Sequence, residues 1–154
     1  MESNVTYSAV EKYRDIHLEM DPIFEKHYKE ISHYHDIELC INKEAYFAME
    51  DSGWVRLFTA RINGKLVGYN AFFIRYNAHY AKSLQASNDV VYIDPEHRGF
   101  GRDFIKWCDD QLREMGVQVV YHHVKAKHNF GPMLERMGYE LIDLIYGKRL
   151  DRGN

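Results

Sequence analysis

The stretch from Ser87 to Val124 constrains the fold more than any other part of the chain. Ser87 to Asp94 is rich in β-branched and aromatic residues and stops at Pro95, which cannot continue a ladder. Gly99 and Gly101 follow. Arg102 to Met115 then places Phe104, Ile105, Cys108, Leu112 and Met115 at helical spacing, Gly116 closes that helix, and Val117 to Val124 is again strand-like. A helix joining two strands of one sheet is a crossover, so the two strands run parallel. Asn63-Gly64 joins two apolar runs, Trp54 to Ile62 and Lys65 to Tyr76, and is a two-residue hairpin signal, so those runs are antiparallel. A chain obeying both constraints has a mixed sheet.

The remaining elements fill in around this frame. Asn4 to Ala9 reads as a first strand, and Glu11 to Met20 and Pro22 to His33 as two helices divided at Asp21-Pro22. A short helix from Lys43 to Met49 is capped by Asn42 and ended by Ser52-Gly53. Asn129 to Met137 reads as a last helix, and a strand pair is expected within Tyr139 to Leu150. The 154 residues suit one domain, 1–154, of the α/β class, with a mixed, mostly antiparallel central sheet flanked by helices. Trp54, Phe58, Phe72, Phe73, Trp107 and Phe130 are expected in the core or at an interface, which leaves a homodimer open.

Charge narrows the partners. The formal net charge is −3, against general nucleic-acid affinity or attachment to an anionic membrane. No run reaches the roughly 18 apolar residues of a membrane span, and Met1-Glu2-Ser3-Asn4 opens no signal peptide, so the expected location is the cytoplasm. Cys40 and Cys108 lack metal-ligand spacing and are expected to be reduced and packed; no metal site is expected. Glu11 to Asp51 holds eleven acidic and five basic residues, a net −6, so the rest of the chain is +3. That later part contains Arg98, Arg102, Lys106, Arg113, Lys125, Lys127 and Arg136. The division suits an anionic ligand at the basic part and a cationic one at the acidic part, unless both are solvated helix faces.

In Arg98-Gly99-Phe100-Gly101-Arg102-Asp103 the two glycines allow backbone N–H groups to face an anion, and the following helix adds its dipole. The chain has no G-x-x-x-x-G-K-[ST], and the turn lacks the third glycine and acidic residue of a dinucleotide site. The segment instead resembles the pyrophosphate turn of the GCN5-related N-acetyltransferase (GNAT) family, where a strand ending V-x-P leads to [Q/R]-x-x-G-x-[G/A] and a helix. The early helices, the Asn63-Gly64 hairpin, Asn129 before a helix, and Met137-Gly138-Tyr139 where the family often has L-G-F extend the resemblance over most of the chain. In the register that buries Phe104 and Ile105, Gly99 and Gly101 are the last motif positions. Glu96 then stands at the usual Gln/Arg position, and the turn is about two residues short.

The resemblance implies an acyl-CoA N-acyltransferase fold with acetyl-CoA as co-substrate. Val91, Tyr92 and Ile93 would lie along pantetheine, Arg98, Gly99, Phe100, Gly101, Arg102 and Asp103 would surround the pyrophosphate, and Asn129 would reach the cofactor arm. Phe100 is read as exposed between its glycines, over the cofactor or in a gap. The acceptor would be a primary amine on a small molecule, a protein lysine or an N-terminus. Asp89 is the candidate base, placed by strand alternation on the face of Val91 and Ile93. Leu134 stands where members often have an acidic tyrosine, and Tyr121 is the nearest substitute. His122 and His123 face opposite sides as strand neighbours, so at most one serves a cleft. His79-Tyr80 could line the acceptor site. Leu134 and the short turn also suit a non-catalytic acyl-CoA-binding or protein-interaction module on the same fold.

Overall fold

The computed structural model describes residues 4–152, the side chain of Arg98 excepted. The chain divides after His123 into two compact units. The first holds β1 (Val5–Ser8), α1 (Tyr13–Ile31), α2 (Lys43–Asp51), β2 (Val55–Ile62), β3 (Lys65–Asn77), β4 (Tyr80–Ile93), a 3-10 turn (Pro95–Phe100), α3 (Gly101–Glu114) and β5 (Val119–Tyr121). The second holds a 3-10 turn (Ala126–His128) and α4 (Gly131–Arg136).

The five strands form one sheet in the order β1-β2-β3-β4-β5. The first three pairings are antiparallel and β4–β5 is parallel across α3, as the crossover requires. Asn63 and Gly64 connect β2 to β3 with φ of 51° and 80°. Two consecutive left-handed residues make the turn whose twist matches a hairpin, which is why Asn-Gly is favoured there.

Each face of the sheet carries its own core. On one face Phe58, Val67, Phe72 and Ala86 pack with Phe104, Cys108 and Leu112 of α3. On the other, Leu57, Leu66, Tyr69 and Ala71 pack with Tyr13 and Met20 of α1 and with Tyr46 and Phe47 of α2. The α3 stripe is the one its sequence spacing indicates. Its end is set by Gly116 at φ 88°, where the Val117 amide bonds back to Leu112 and the Gly116 amide to Arg113. Asn42 caps α2 by accepting the Ala45 amide at 3.0 Å.

The structure departs from the sequence reading at several places. Glu11–Met20 and Pro22–His33 are one helix, with Pro22 inside α1. A mid-helix proline costs about 3 kcal/mol. Here Tyr13, Ile16, Met20, Ile23 and Phe24 continue one apolar stripe through it, and Asp21, instead of capping a new helix, accepts the Tyr13 hydroxyl and pairs with Lys43. β4 begins at Tyr80, well before Ser87, because it pairs with β3 almost to the Asn77 turn. Trp54 is 55% exposed, at the end of α2 where the chain turns into β2, and so is not a core residue. Cys40 is exposed and Cys108 buried, both free. No strand forms within 139–150 among the described residues. Leu141, Ile142, Leu144, Ile145 and Tyr146 are exposed there, because apolar content makes a strand only where a ladder edge receives it.

The α3 core generates a stability prediction. Phe104→Ala removes a fully buried ring that stacks on Tyr7 at 5.3 Å and packs on Phe100. It should lower unfolding free energy by about 3–5 kcal/mol. Val10→Ala at the surface should change it by under about 0.5 kcal/mol. Urea denaturation followed by circular dichroism compares them.

Candidate functional site

The site begins with an irregularity in β4. Ala71 pairs with Val90 and Phe72 with Asn88, so Asp89 is an extra residue opposite a single β3 step, a β-bulge. Before the bulge, Leu84 and Ala86 face α3; after it, Val90 and Tyr92 face α1 and α2 while Ile93 faces α3. Asp89 therefore shares the face of Val90 and Tyr92, not that of Val91 and Ile93 as strict alternation indicates. Asn88 secures the bulge from below. Its Nδ2 donates to Asn70 Oδ1 at 2.6 Å and reaches the Ala71 carbonyl at 3.4 Å. Neither asparagine stood out in the sequence, where nothing marks a polar pair across two strands.

On the α1/α2 face Asp89 borders a slot walled by Met20, Phe24, Leu57, Ala71 and Val90, with Tyr13, Asp21 and Tyr46 also in its lining. The Tyr46 hydroxyl donates to Asp89 Oδ2 at 2.7 Å, and the Tyr13 hydroxyl donates to Asp21 Oδ1 at 2.7 Å. The two tyrosine rings meet edge to face at 5.7 Å. Tyr13 is held by its own backbone as well, its amide donating to Glu50 of α2 at 2.9 Å. Lys43 Nζ lies 2.8 Å from Asp21. Asp89 has no ion-pair partner among the described residues.

Protein around the Asp89 carboxyl raises its pKa above the ordinary carboxylate value, and the Tyr46 hydrogen bond opposes that rise. Burial and then the bond to Asp89 push the Tyr46 phenol well above its usual value, so it stays a proton donor. This is a carboxylate whose basicity is increased while it remains reachable from solvent.

Ser87 pairs with Tyr121 in the β4–β5 ladder, so Tyr121 lies on the Asp89 face of the sheet. His122 lies on the opposite face against the Phe72 ring, and burial and then His123 push its pKa down to about 4. His123 returns to the Asp89 face, its Nε2 3.1 Å from Ser87 Oγ. One histidine of the pair thus faces the site side, as alternation requires. His79 and Tyr80 sit at the β3–β4 turn; at about 3.3 Å per residue Tyr80 is roughly 30 Å along the strand from Asp89. They do not line the slot.

The β4–β5 ladder stops at Ser87–Tyr121, while β4 continues to Ile93. The stretch containing Val91, Tyr92 and Ile93 therefore has no ladder partner on the β5 side among the described residues. Beyond it Asp94 accepts the Glu96 amide at 2.9 Å, opening the 3-10 turn that leads into α3. Among the described residues no side chain caps α3, whose first turn, with Gly101, Arg102 and Asp103, follows directly on the 3-10 turn. Gly99 has open space where a Cβ would stand. Arg102 is exposed; the side chain of Arg98 lies outside the described residues. Phe100 is buried, 6% exposed, its ring against Gly68 and Phe104, so only its backbone can serve a ligand. The exposed placement is overturned because the short turn tucks the ring into the α3 core.

In the second unit Asn129 Oδ1 accepts the Gly131 amide at 2.8 Å at the start of α4, and Leu134 lies on α4. Asp94, Glu96 and His97 bring three donor atoms within 4.8 Å of one another. Asp94 is already occupied by the Glu96 amide and lies near Lys65 and His97, at 3.8 and 3.5 Å, which makes the group a brace for the turn.

Removing the Tyr46 hydroxyl takes away the interaction that lowers the Asp89 pKa. Tyr46→Phe should therefore raise it further, read by pH titration of the Asp89 carboxyl carbon in NMR. Because the folded-state value already exceeds the unfolded one, Asp89 contributes stability at low pH that is lost as pH rises through the folded value. Asp89→Asn should accordingly be more stable than the parent at neutral pH, with the gain fading below about pH 3.9.

The profile of the Acetyltransferase (GNAT) family matches residues 12–139. No curated protein sequence matches the chain. Among solved structures, the ribosomal-protein-alanine N-acetyltransferase of Brucella melitensis biovar Abortus 2308 is 20% identical, with TM-score 0.69 over 95% of this chain and 99% of that one. An aminoglycoside acetyltransferase from an uncultured soil metagenomic sample is 14% identical, with TM-score 0.70 over 97% and 99%. A predicted acetyltransferase of Clostridium acetobutylicum, solved with acetyl-CoA, is 14% identical, with TM-score 0.65 over 97% of each chain. An open-edged β4, an uncapped helix after a glycine turn and a profile spanning most of the sequence agree, and the chain belongs to the GNAT acetyltransferase family.

Proposed function

We propose that the chain acetylates a primary amine that arrives as an ammonium ion, with Asp89 drawing it in and taking its proton. The observation carrying this reading is Asp89 itself. It sits on a bulge, held by Tyr46 at 2.7 Å, and has no cationic partner among the described residues, whereas Asp21 in the same slot is paired with Lys43. A carboxylate of raised basicity without a counter-ion suits both tasks. Candidate acceptors are an amine-bearing small molecule, a protein lysine and an N-terminus.

The residues present fit acetyl-CoA. The unladdered edge at Val91, Tyr92 and Ile93 offers backbone groups to an extended, amide-bearing arm. The N-terminal end of α3, with Gly99 and Arg102 beside it, offers the positive end of its dipole to a pyrophosphate. Asp103 in the first turn tempers that attraction. On the family resemblance alone, Asn129 is proposed for the cofactor arm; its Oδ1 accepts the Gly131 amide. When bound, acetyl-CoA supplies the acetyl group as a thioester. Asp89 removes the proton that blocks the amine lone pair, Tyr46 fixes the carboxylate, and Tyr121, on the same sheet face, is the proton donor proposed for the departing thiolate. Leu134 on α4 favours one other reading, a module that binds acyl-CoA without turnover.

Calorimetry with acetyl-CoA and turnover with a panel of amines separate these readings. Asp89→Asn should reduce kcat/KM by about a hundredfold or more while leaving acetyl-CoA affinity nearly unchanged. Equal loss of cofactor affinity contradicts the placement of Asp89, and binding without turnover of any amine supports the module. A cationic amine should be preferred over an acidic one of similar size, and the preference should shrink as salt shortens the Debye length from about 30 Å at 0.01 M to about 8 Å at 0.15 M.

A further inference from the structure

The slot beside Asp89 has a chemistry that goes beyond attraction of a cation. Its walls are hydrocarbon from three directions: Met20 and Phe24 of α1, Ile41 ahead of α2, and Leu57 and Ala71 of the sheet. Its second carboxylate is already answered, since Asp21 accepts the Tyr13 hydroxyl and pairs with Lys43 at 2.8 Å. A ligand entering here meets one uncompensated negative charge, at Asp89, and otherwise apolar surface. The space is about 40 Å³. That is space for a few water-sized groups, which a slender hydrocarbon arm can occupy. A sugar hydroxyl or a second ammonium placed there would lose its water without gaining a partner.

From this geometry we infer that the slot is the side-arm pocket of the acceptor. It takes a primary amine whose nitrogen lies at Asp89 and whose substituent is a slender, unbranched alkyl arm, and it disfavours hydroxylated ring amines and diamines. The inference rests on the acetyl-transfer reading above and narrows it to a substrate class. Discrimination arises on both sides, from the packing of the alkyl arm against hydrocarbon walls and from the desolvation imposed on polar arms.

The test is a ladder of kcat/KM values for ethylamine, propylamine, butylamine, pentylamine and hexylamine, with 1,4-diaminobutane and glucosamine as polar comparisons. Each methylene that the slot buries should raise kcat/KM by about fourfold, the equivalent of burying one CH₂, and the gain should level off where the arm outgrows the slot. Butylamine should exceed 1,4-diaminobutane by about tenfold or more, the cost of stranding a polar group in an apolar site. Ala71→Leu, which adds carbon to the slot, should lower the butylamine-to-ethylamine ratio, with thermal denaturation reporting that the variant is folded. A flat ladder, or a preference for the diamine or the sugar amine in the parent protein, overturns the pocket while leaving acetyl transfer in place. Acetylation of none of these amines overturns the pocket, and a lysine-bearing and an N-terminal peptide run beside them overturn acetyl transfer as well if they too stay unmodified.

Discussion

The single extra residue in β4 governs the chemistry available to this fold. Counted from Leu84 and Ala86, an unbroken strand would still set Asp89 beside Ser87 on the α1/α2 face, but it would send Val90 and Tyr92 into the α3 core. The bulge instead brings Val90 and Tyr92 onto the face of Asp89, whose carboxylate lies 2.7 Å from the Tyr46 hydroxyl. A bulge disrupts the ladder locally, and here Asn88 offsets part of that loss by reaching the Ala71 carbonyl. The α1–α2 packing also depends on this arrangement, because the Tyr46 and Tyr13 rings meet edge to face while each hydroxyl holds one aspartate. The apolar neighbours of the carboxylate on the β4 side thus follow from one register shift.

Much of the scaffold was legible in the residues, and the reasons are local. Asn63-Gly64, the Asn42 cap and the α3 stripe ending at Gly116 each depend on contacts within a few positions, and each appears where its chemistry requires. The turn residues could be chosen from the family resemblance, Tyr121 by topology and Asp89 by strand alternation; Asp89 lines a slot with residues of α1 and α2 that the sequence did not single out, on the face of Val90 and not on that of Val91 and Ile93. What was not legible depends on partners distant in sequence. Pro22 remains helical because Tyr13 and Lys43 engage Asp21; the bulge needs Asn70 across the sheet; Phe100 is drawn inward by Gly68. Tyr13 and Tyr46 carried no signal, since a tyrosine in an amphipathic helix reads as core until its hydroxyl is seen to meet a carboxylate.

The acidic character of the segment from Glu11 to Asp51 is more contained than its net charge suggests. Arg61 binds Glu11 at 2.9 Å and Glu19 at 2.8 Å, and it also donates to the Gly64 carbonyl. Burial pushes the Glu11 carboxyl up, but its bonds to Arg61 and Thr59 outweigh that and hold it below the usual range. Arg14 pairs with Asp51 and Lys43 with Asp21. These pairs tie α1 to the sheet and to α2, and they leave the field near the slot dominated by Asp89. Long-range attraction and local selection are therefore carried by different groups.

The order of the sheet has a consequence for how the protein comes apart. β2, β3 and β4 form a meander whose turns close over very few residues, whereas β1 reaches its place only by bringing Val5 to Ile62. Closing that long loop carries the larger entropic cost, and β1 is an edge strand of four residues. Its detachment therefore sits at the low end of the spectrum of local openings. Asp89 lies three strands away, on a strand flanked by β3 and β5, so the edge can fray and re-form while the Asp89 carboxylate stays in register.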